Sequence, residues 1–156
     1  IAVDSVMQDS LNPETKPLDA PVKYSSKDSM VWVMGGNATL YGSSSVQYQN
    51  IGLDAAVVRM RIDSSLVYAD GIQDSSGNWT GTPVFKEGST PYESTHMSYN
   101  IKTQKGYINH VVTQQGEGYM TSRDAKKGPD GEYFIKDGIY TTCDDHDDPH
   151  FGIRKF

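Results

Sequence analysis

The sequence predicts an all-β protein of repeated antiparallel strands, and three observations carry the prediction. The stretch from Leu53 to Ala69, LDAAVVRMRIDSSLVYA, recurs thirty-nine positions later as YESTHMSYNIKTQKGYI. Chemical type is kept at most apolar positions, with Val58 falling on Met97, Met60 on Tyr99, Ile62 on Ile101 and Tyr68 on Tyr107. Short strand-like segments separated by turn chemistry fill most of the chain, and no stretch carries a helical stripe. The composition agrees: hydrophobic residues make up 36% and mean hydropathy is -0.58, while there are 15 Gly and 10 Tyr, a supply suited to many short strands rather than a thick core. A repeated unit that cannot bury its own apolar face implies neighbours stacked into one continuous core, a roll or solenoid-like sheet.

Taken in order, residues 1–20 form a polar arm in which Pro13 and Pro17, with Pro21 just after it, disfavour both helix and central strand. It is expected to be poorly ordered unless it pairs. From residue 21 onward a single domain is expected, with strands at VKY, MVWVM, ATLYG, VQYQ, the first repeat copy, TPVFKE, the second copy, HVVTQQ, GYMTS, EYFIKD and IYTTC. Asp74-Ser75-Ser76-Gly77, Lys86-Glu87-Gly88 and Pro129-Asp130-Gly131 supply turns. Both copies contain a hairpin, turning at Asp63-Ser64-Ser65 and at Lys102 to Gly106, and Asp28 to Trp32 reads as a half copy of Ser64 to Tyr68. Inside the first copy the apolar positions step by two, then by three from Ala55 to Val58, then by two again. Side chains alternate faces along a strand, so the odd step calls for a bulge or sharp bend near Ala56 to keep Leu53, Ala55, Val58 and Met60 on one wall.

Charge and motif chemistry narrow the function classes. A net charge of -6 opposes general nucleic-acid binding. Arg59 with Arg61, Lys102 with Lys105, and Arg123, Lys126 and Lys127 in a loop are local basic spots, solvated by default. No apolar run is long enough for a helix to cross a bilayer, and the acidic start is no signal peptide, so an exported protein would have lost its signal already. The one cysteine, Cys143, cannot form an internal disulfide. Cys143 to His150 crowds a thiol, four aspartates and two histidines together, but without the ligand spacing of a zinc or calcium site. There is no nucleophile elbow and no phosphate-binding Gly loop, and His96 takes the place of Val57 in the repeat, a face position rather than a base. No enzyme, cofactor or metal follows from these residues.

Gly36-Asn37-Ala38 with Leu40, Leu53-Asp54-Ala55, Val58, Met60, Val67 and Ala69 resemble the repeat of the OstA-like domains that carry lipopolysaccharide across the periplasm. Tyr92-Glu93-Ser94 through Asn100 and Thr103 to Gly106 resemble the same unit. Val112 to Gly116 and the closing Ile139-Tyr140-Thr141-Thr142-Cys143, with Pro149-His150-Phe151, are similar to the amino-terminal periplasmic domain of the LptD family of lipopolysaccharide-assembly proteins. The resemblance covers residues 18–156 and implies a folded-sheet β-jelly-roll, a β-taco open at an edge or end, whose apolar interior shields lipid A acyl chains. It further implies edge-to-edge strand pairing with LptA-like periplasmic domains, an outer-membrane β-barrel continuing the same full-length chain but absent here, and a disulfide from Cys143 to that barrel. The location implied is the periplasm of a Gram-negative bacterium, at the outer membrane.

The leading expectation is therefore a non-enzymatic lipid conduit, with Leu53, Ala55, Val58, Met60, Ile62, Tyr92, Met97, Tyr99 and Ile101 facing the acyl chains. A cell-envelope adhesion or carbohydrate-binding module with a filled core, using Trp32 and Trp79 against sugars, is the alternative. A metal-dependent hydrolase at Cys143 to His150, dependent on His146, is a third.

Overall fold

A computed structural model describes residues 5–7, 18–145, 148, 150 and 152–155. Among them there are sixteen strands and no helix. Four strands are long: β4 (Asn37–Tyr48), β5 (Ile51–Arg61), β12 (Lys105–Gln115) and β13 (Gly118–Lys127). Each changes its lateral partner partway along. β4 pairs with β3 (Ser29–Val33) over 37–41 and with β2 (Val22–Ser25) over 45–47. β5 pairs with β6 (Leu66–Asp70) over 57–61 and with β9 (Val84–Glu87) over 51–54. β12 pairs with β11 (His96–Asn100) over 105–109 and with β10 (Thr90–Glu93) at Val112. β13 pairs with β14 (Tyr133–Lys136) over 124–127 and with β15 (Gly138–Thr141) over 119–121.

The result is one antiparallel sheet folded into two facing layers. The first holds β3, β6, β11 and β14; the second holds β2, β9, β10 and β15, with β1 (Ser5–Met7) added beside β2 and β16 (Ile153–Lys155) beside β15. Pairing runs in a closed circuit through β5, β6, β11, β12, β10 and β9. This is the folded-sheet jelly-roll that the repeats and the resemblance lead one to expect.

The crease between the layers explains the odd step in the repeat. Tyr41 pairs with Val57 and Ser44 with Ala55, so Gly42 and Ser43 together face Ala56. Both residues of the bulge take left-handed backbone angles (φ 75° and 45°), the local bend a bulge needs. The bulge is therefore in β4, opposite the step, and it merges ATLYG and VQYQ into one strand where two were expected. Leu53, Ala55, Val58 and Met60 are all buried, while Ala56 and Val57 between them are half-buried. β12 bends likewise at His110 (φ 51°), between the pairs Asn109 with Asp124 and Val111 with Ser122.

A bent strand leaves backbone groups without ladder partners, and segment 71–83 supplies them. Its hairpin, β7 (Ile72–Gln73) with β8 (Trp79–Thr80), is set by Asp74, whose carboxylate accepts the Ser76 and Asn78 amides. At the crease the Ala56 N–H donates to the Gly81 carbonyl at 2.8 Å, Gly71 N–H to Thr95, and Ser94 N–H to Pro83.

The repeat copies occupy equivalent places. Met60 pairs with Val67 as Tyr99 pairs with Gly106, and the turns stack, Ile62 N–H donating to Gly36 and Ile101 N–H to Ser65. Asp54 and Glu93 flank the same residue, Val84. The half copy is not equivalent: β3 is an edge strand that opens a hairpin, whereas β6 closes one. Arg123, Lys126 and Lys127 are on β13 rather than in a loop.

Gly81 combines a positive φ (56°) with a position where an added Cβ would come within 2.6 Å of the Ala56 Cβ. Gly81→Ala should cost about 1–3 kcal/mol through backbone strain and this contact. Urea denaturation would measure it, and a variant as stable as the parent would show that segment 71–83 does not brace the crease.

Candidate functional site

The packed interior between the layers is the candidate site, and cross-strand pairing dictates what fills it, since directly opposed residues share a face. In the first layer one inward row runs Leu40, Val58, Ala69, Met97, Ile108, Ala125. All six are buried. The next row, nearer the hairpin turns, runs Ala38, Met60, Val67, Tyr99, Gly106, Lys127. The second layer answers with Val46, Leu53 and Phe85, directly paired, and with Tyr48, Ile51 and Glu87 at its rim. The Phe85 and Tyr99 rings meet across the gap at 5.1 Å. Each Leu, Val, Met or Phe so covered contributes about 1.5–3 kcal/mol to holding the layers together.

Of the residues expected on this wall, Leu53, Ala55, Val58, Met60, Met97, Tyr99 and Ile101 are buried. Ile62 and Tyr92 are half-buried, Ile62 in a turn and Tyr92 on β10 packed against the core. Sequence reasoning missed Leu40, Phe85 and Ala125, which lie outside the two repeat copies, and Ile108, which closes the second copy at the place of Ala69. Alternation along β12 and β13 is the signal that could have found the last two.

The wall is not wholly apolar at the rim. Lys127 points inward with its side chain 1% exposed, and its Nζ donates to Glu87 Oε2 at 3.1 Å and to the Gly128 carbonyl at 3.2 Å. Because β13 and β9 belong to different layers, this ion pair spans the gap. Beside it Tyr92 stacks on Tyr133 with ring centres 4.7 Å apart, again across the layers. The Tyr99 hydroxyl oxygen is buried with no hydrogen-bond partner, and the buried Tyr133 hydroxyl has the Tyr92 side chain as its polar neighbour. Burial first, then the negative field of Glu87 and the Tyr48 phenol, raises the Tyr99 hydroxyl well above the usual phenol range. Tyr133 is raised by burial and by the neighbouring Tyr92, Glu87 and Tyr99. Both phenols therefore stay protonated at neutral pH and can donate.

The outer face is charged and paired. Asp70 accepts from Arg59 at 2.6 Å and contacts His96 Nδ1 at 2.9 Å, so His96 occupies the outer-face position equivalent to Val57, as the repeat implies. Trp32 (45% exposed) is on edge strand β3 and Trp79 (41%) on the crease hairpin, separate elements rather than one sugar platform. Trp79 stands edge-on to His96 and lines a crease cleft of about 710 Å³ with Thr95, His110, Arg123 and Asp137.

Cys143 is a free thiol whose Sγ lies 3.7 Å from His150 Nδ1. That contact holds the thiol below its ordinary range and His150 above its own. His146, on which the hydrolase reading depends, lies outside the described residues, as do Asp147, Pro149 and Phe151. Among the described residues no three His, Cys, Asp or Glu side chains gather as a metal site.

No protein-family profile matches the chain, and no curated protein matches it in sequence. In fold it is similar to LptH of Pseudomonas aeruginosa, the LptA-homologous periplasmic component of that organism's lipopolysaccharide transport device. The TM-score is 0.61 at 10% identity, over 89% of this chain and 96% of the other.

Two predictions follow from the rim. Removing the Glu87 charge leaves a covered ammonium unpaired, whereas removing Lys127 leaves a carboxylate that is already 30% exposed. Glu87→Gln should therefore destabilise by about 2–3 kcal/mol, more than Lys127→Met, with positive coupling in a double-mutant cycle read by urea unfolding. The raised Tyr99 and Tyr133 hydroxyls keep their protons in the folded state where the unfolded chain loses them, so stability is complete below about pH 10 and falls as pH rises above it. Tyr133→Phe should flatten that decline in melts taken between about pH 9 and 11.

Proposed function

We propose that this chain is a non-enzymatic, periplasmic lipopolysaccharide-binding and transport domain of a Gram-negative bacterium, shielding acyl chains between its two layers. The observation that supports the reading best is the inward apolar wall, continuous across six strands, of which the repeated unit forms the central four. Every methylene moved from water onto such a wall gains about 0.8 kcal/mol, so an acidic protein can hold an anionic glycolipid mainly through its acyl chains. The likeness to a lipopolysaccharide-transport component supports the same reading. In it, Leu53, Ala55, Val58, Met60, Ile62, Tyr92, Met97, Tyr99 and Ile101 meet acyl chains once the layers part.

The finer assignments belong to the same proposal. Strand β3 carries exposed Val31, Trp32 and Val33, followed by fully exposed Met34, while β14 carries exposed Phe134 and β16 exposed Ile153. Apolar edges of this kind suit strand addition by LptA-like domains on either side. The LptD-like reading adds an outer-membrane barrel in the full-length chain and a disulfide from Cys143 to it, to which a thiol already biased toward thiolate is suited.

Site-specific photo-crosslinking tests the wall. A photoreactive residue at Met60 or Ile108 should capture lipopolysaccharide, whereas one at the outward Tyr107 should capture several-fold less. Capture at Tyr107 with none at Met60 or Ile108 would place the lipid on the other face and end this reading.

A further inference from the structure

An apolar conduit gives no reason for Lys127. Among the described residues it is the one charged side chain in the buried interior, and it fills a row position otherwise occupied by Ala38, Met60, Val67 and Tyr99. Covering an ammonium is costly unless it is paired, and a methionine of similar shape would pack there at less cost. The row also brings donors together. Gly106 stands between Tyr99 and Lys127, and lacking a side chain it leaves them neighbours: a Cβ there would sit 3.2 Å from the Tyr99 ring and 3.6 Å from the Lys127 Cβ. The Tyr99 residue is 4% exposed and its hydroxyl oxygen has no partner, while the Tyr133 hydroxyl has only the Tyr92 side chain beside it.

The two halves of the ion pair differ in freedom. The ammonium is fixed inside the first layer, whereas Glu87, 30% exposed at the rim of the second, can swing into water once another anion pairs with the ammonium. An arriving anion can therefore take the carboxylate's place. A phosphate monoester suits the exchange, since its oxygens accept several charge-assisted hydrogen bonds at once where Glu87 supplies a single contact. We propose that Lys127, with the Tyr99 and Tyr133 hydroxyls, receives a phosphate group of the lipid headgroup, which displaces Glu87 and so unclasps the rims for the acyl chains. The assignment rests on the lipid-binding reading above. It makes the clasp selective, because an uncharged amphiphile has nothing to exchange for the carboxylate.

The test compares bisphosphorylated lipid A, fully dephosphorylated lipid A and inorganic phosphate on the purified chain. Spin labels at Asn50 and Thr103, on the turns of the opposing rims, report the gap. The parent should bind the phosphorylated form roughly tenfold more tightly than the dephosphorylated one. Lys127→Met should erase that preference, Lys127→Arg should keep it, and Glu87→Gln should enlarge it several-fold. The rim distance should widen with phosphorylated lipid A and not with millimolar inorganic phosphate. If Lys127→Met does not fold, the double variant Glu87→Gln with Lys127→Met, which leaves no unpaired charge, carries the same comparison. Equal binding of both lipids by the parent, a preference that survives loss of Lys127, or rims opened by free phosphate alone would overturn the assignment while leaving lipid binding intact. Failure of both lipids to bind would instead overturn the lipid-binding reading.

Discussion

The structure depends on bending four long strands without stranding their backbone hydrogen bonds. A strand that passes from one layer to the other must give up one lateral neighbour before it gains the next, and a buried amide left open there costs as much as a lost hydrogen bond. Gly42 and Ser43 make the bend in β4 by taking left-handed angles, and His110 makes it in β12. Gly81 then accepts the amide that β5 exposes at Ala56. With these in place a single sheet doubles over, and the interior follows from strand alternation.

The same constraint assigns roles to the remaining surfaces. The crease is short of space, which is why small residues gather on it: Ser44, Ala55, Ser94 and Ser122 are all buried there. The rims, by contrast, are held by side chains rather than ladders. Aromatic contacts and the Lys127–Glu87 pair bridge them, and such contacts can be exchanged singly where a ladder opens as a unit. The fold thus has a hydrogen-bonded crease on one side and side-chain contacts on the other. The lateral edges are different again, for β3 and β14 each carry exposed apolar groups beside backbone that pairs on one side only among the described strands.

What could be read before folding was whatever obeys local rules. Hairpin register and inward alternation act over a few residues, so the thirty-nine-residue repeat and the buried set Leu53, Ala55, Val58 and Met60 follow from pattern alone. The three-residue step could be read as a bend for the same reason, because strand parity admits no other explanation. Gly42-Ser43 was harder, since glycine and serine between two apolar runs have the chemistry of a turn as much as of a bulge. Lys127 was harder still. In the string DAKKG its inward parity with Ala125 is outweighed by the ordinary preference of lysine for water.

The sequence by itself thus determined the class of the fold, the strand pairs that are neighbours along the chain, and the face that each repeat copy buries. Only the tertiary structure decided that β9 and β10 close the circuit beneath β5 and β12, that Phe85 meets Tyr99, and that Glu87 reaches Lys127. Glu87 and Lys127 are forty positions apart on strands that never pair. No periodicity records such a contact, because it exists only once the crease has brought one rim over the other.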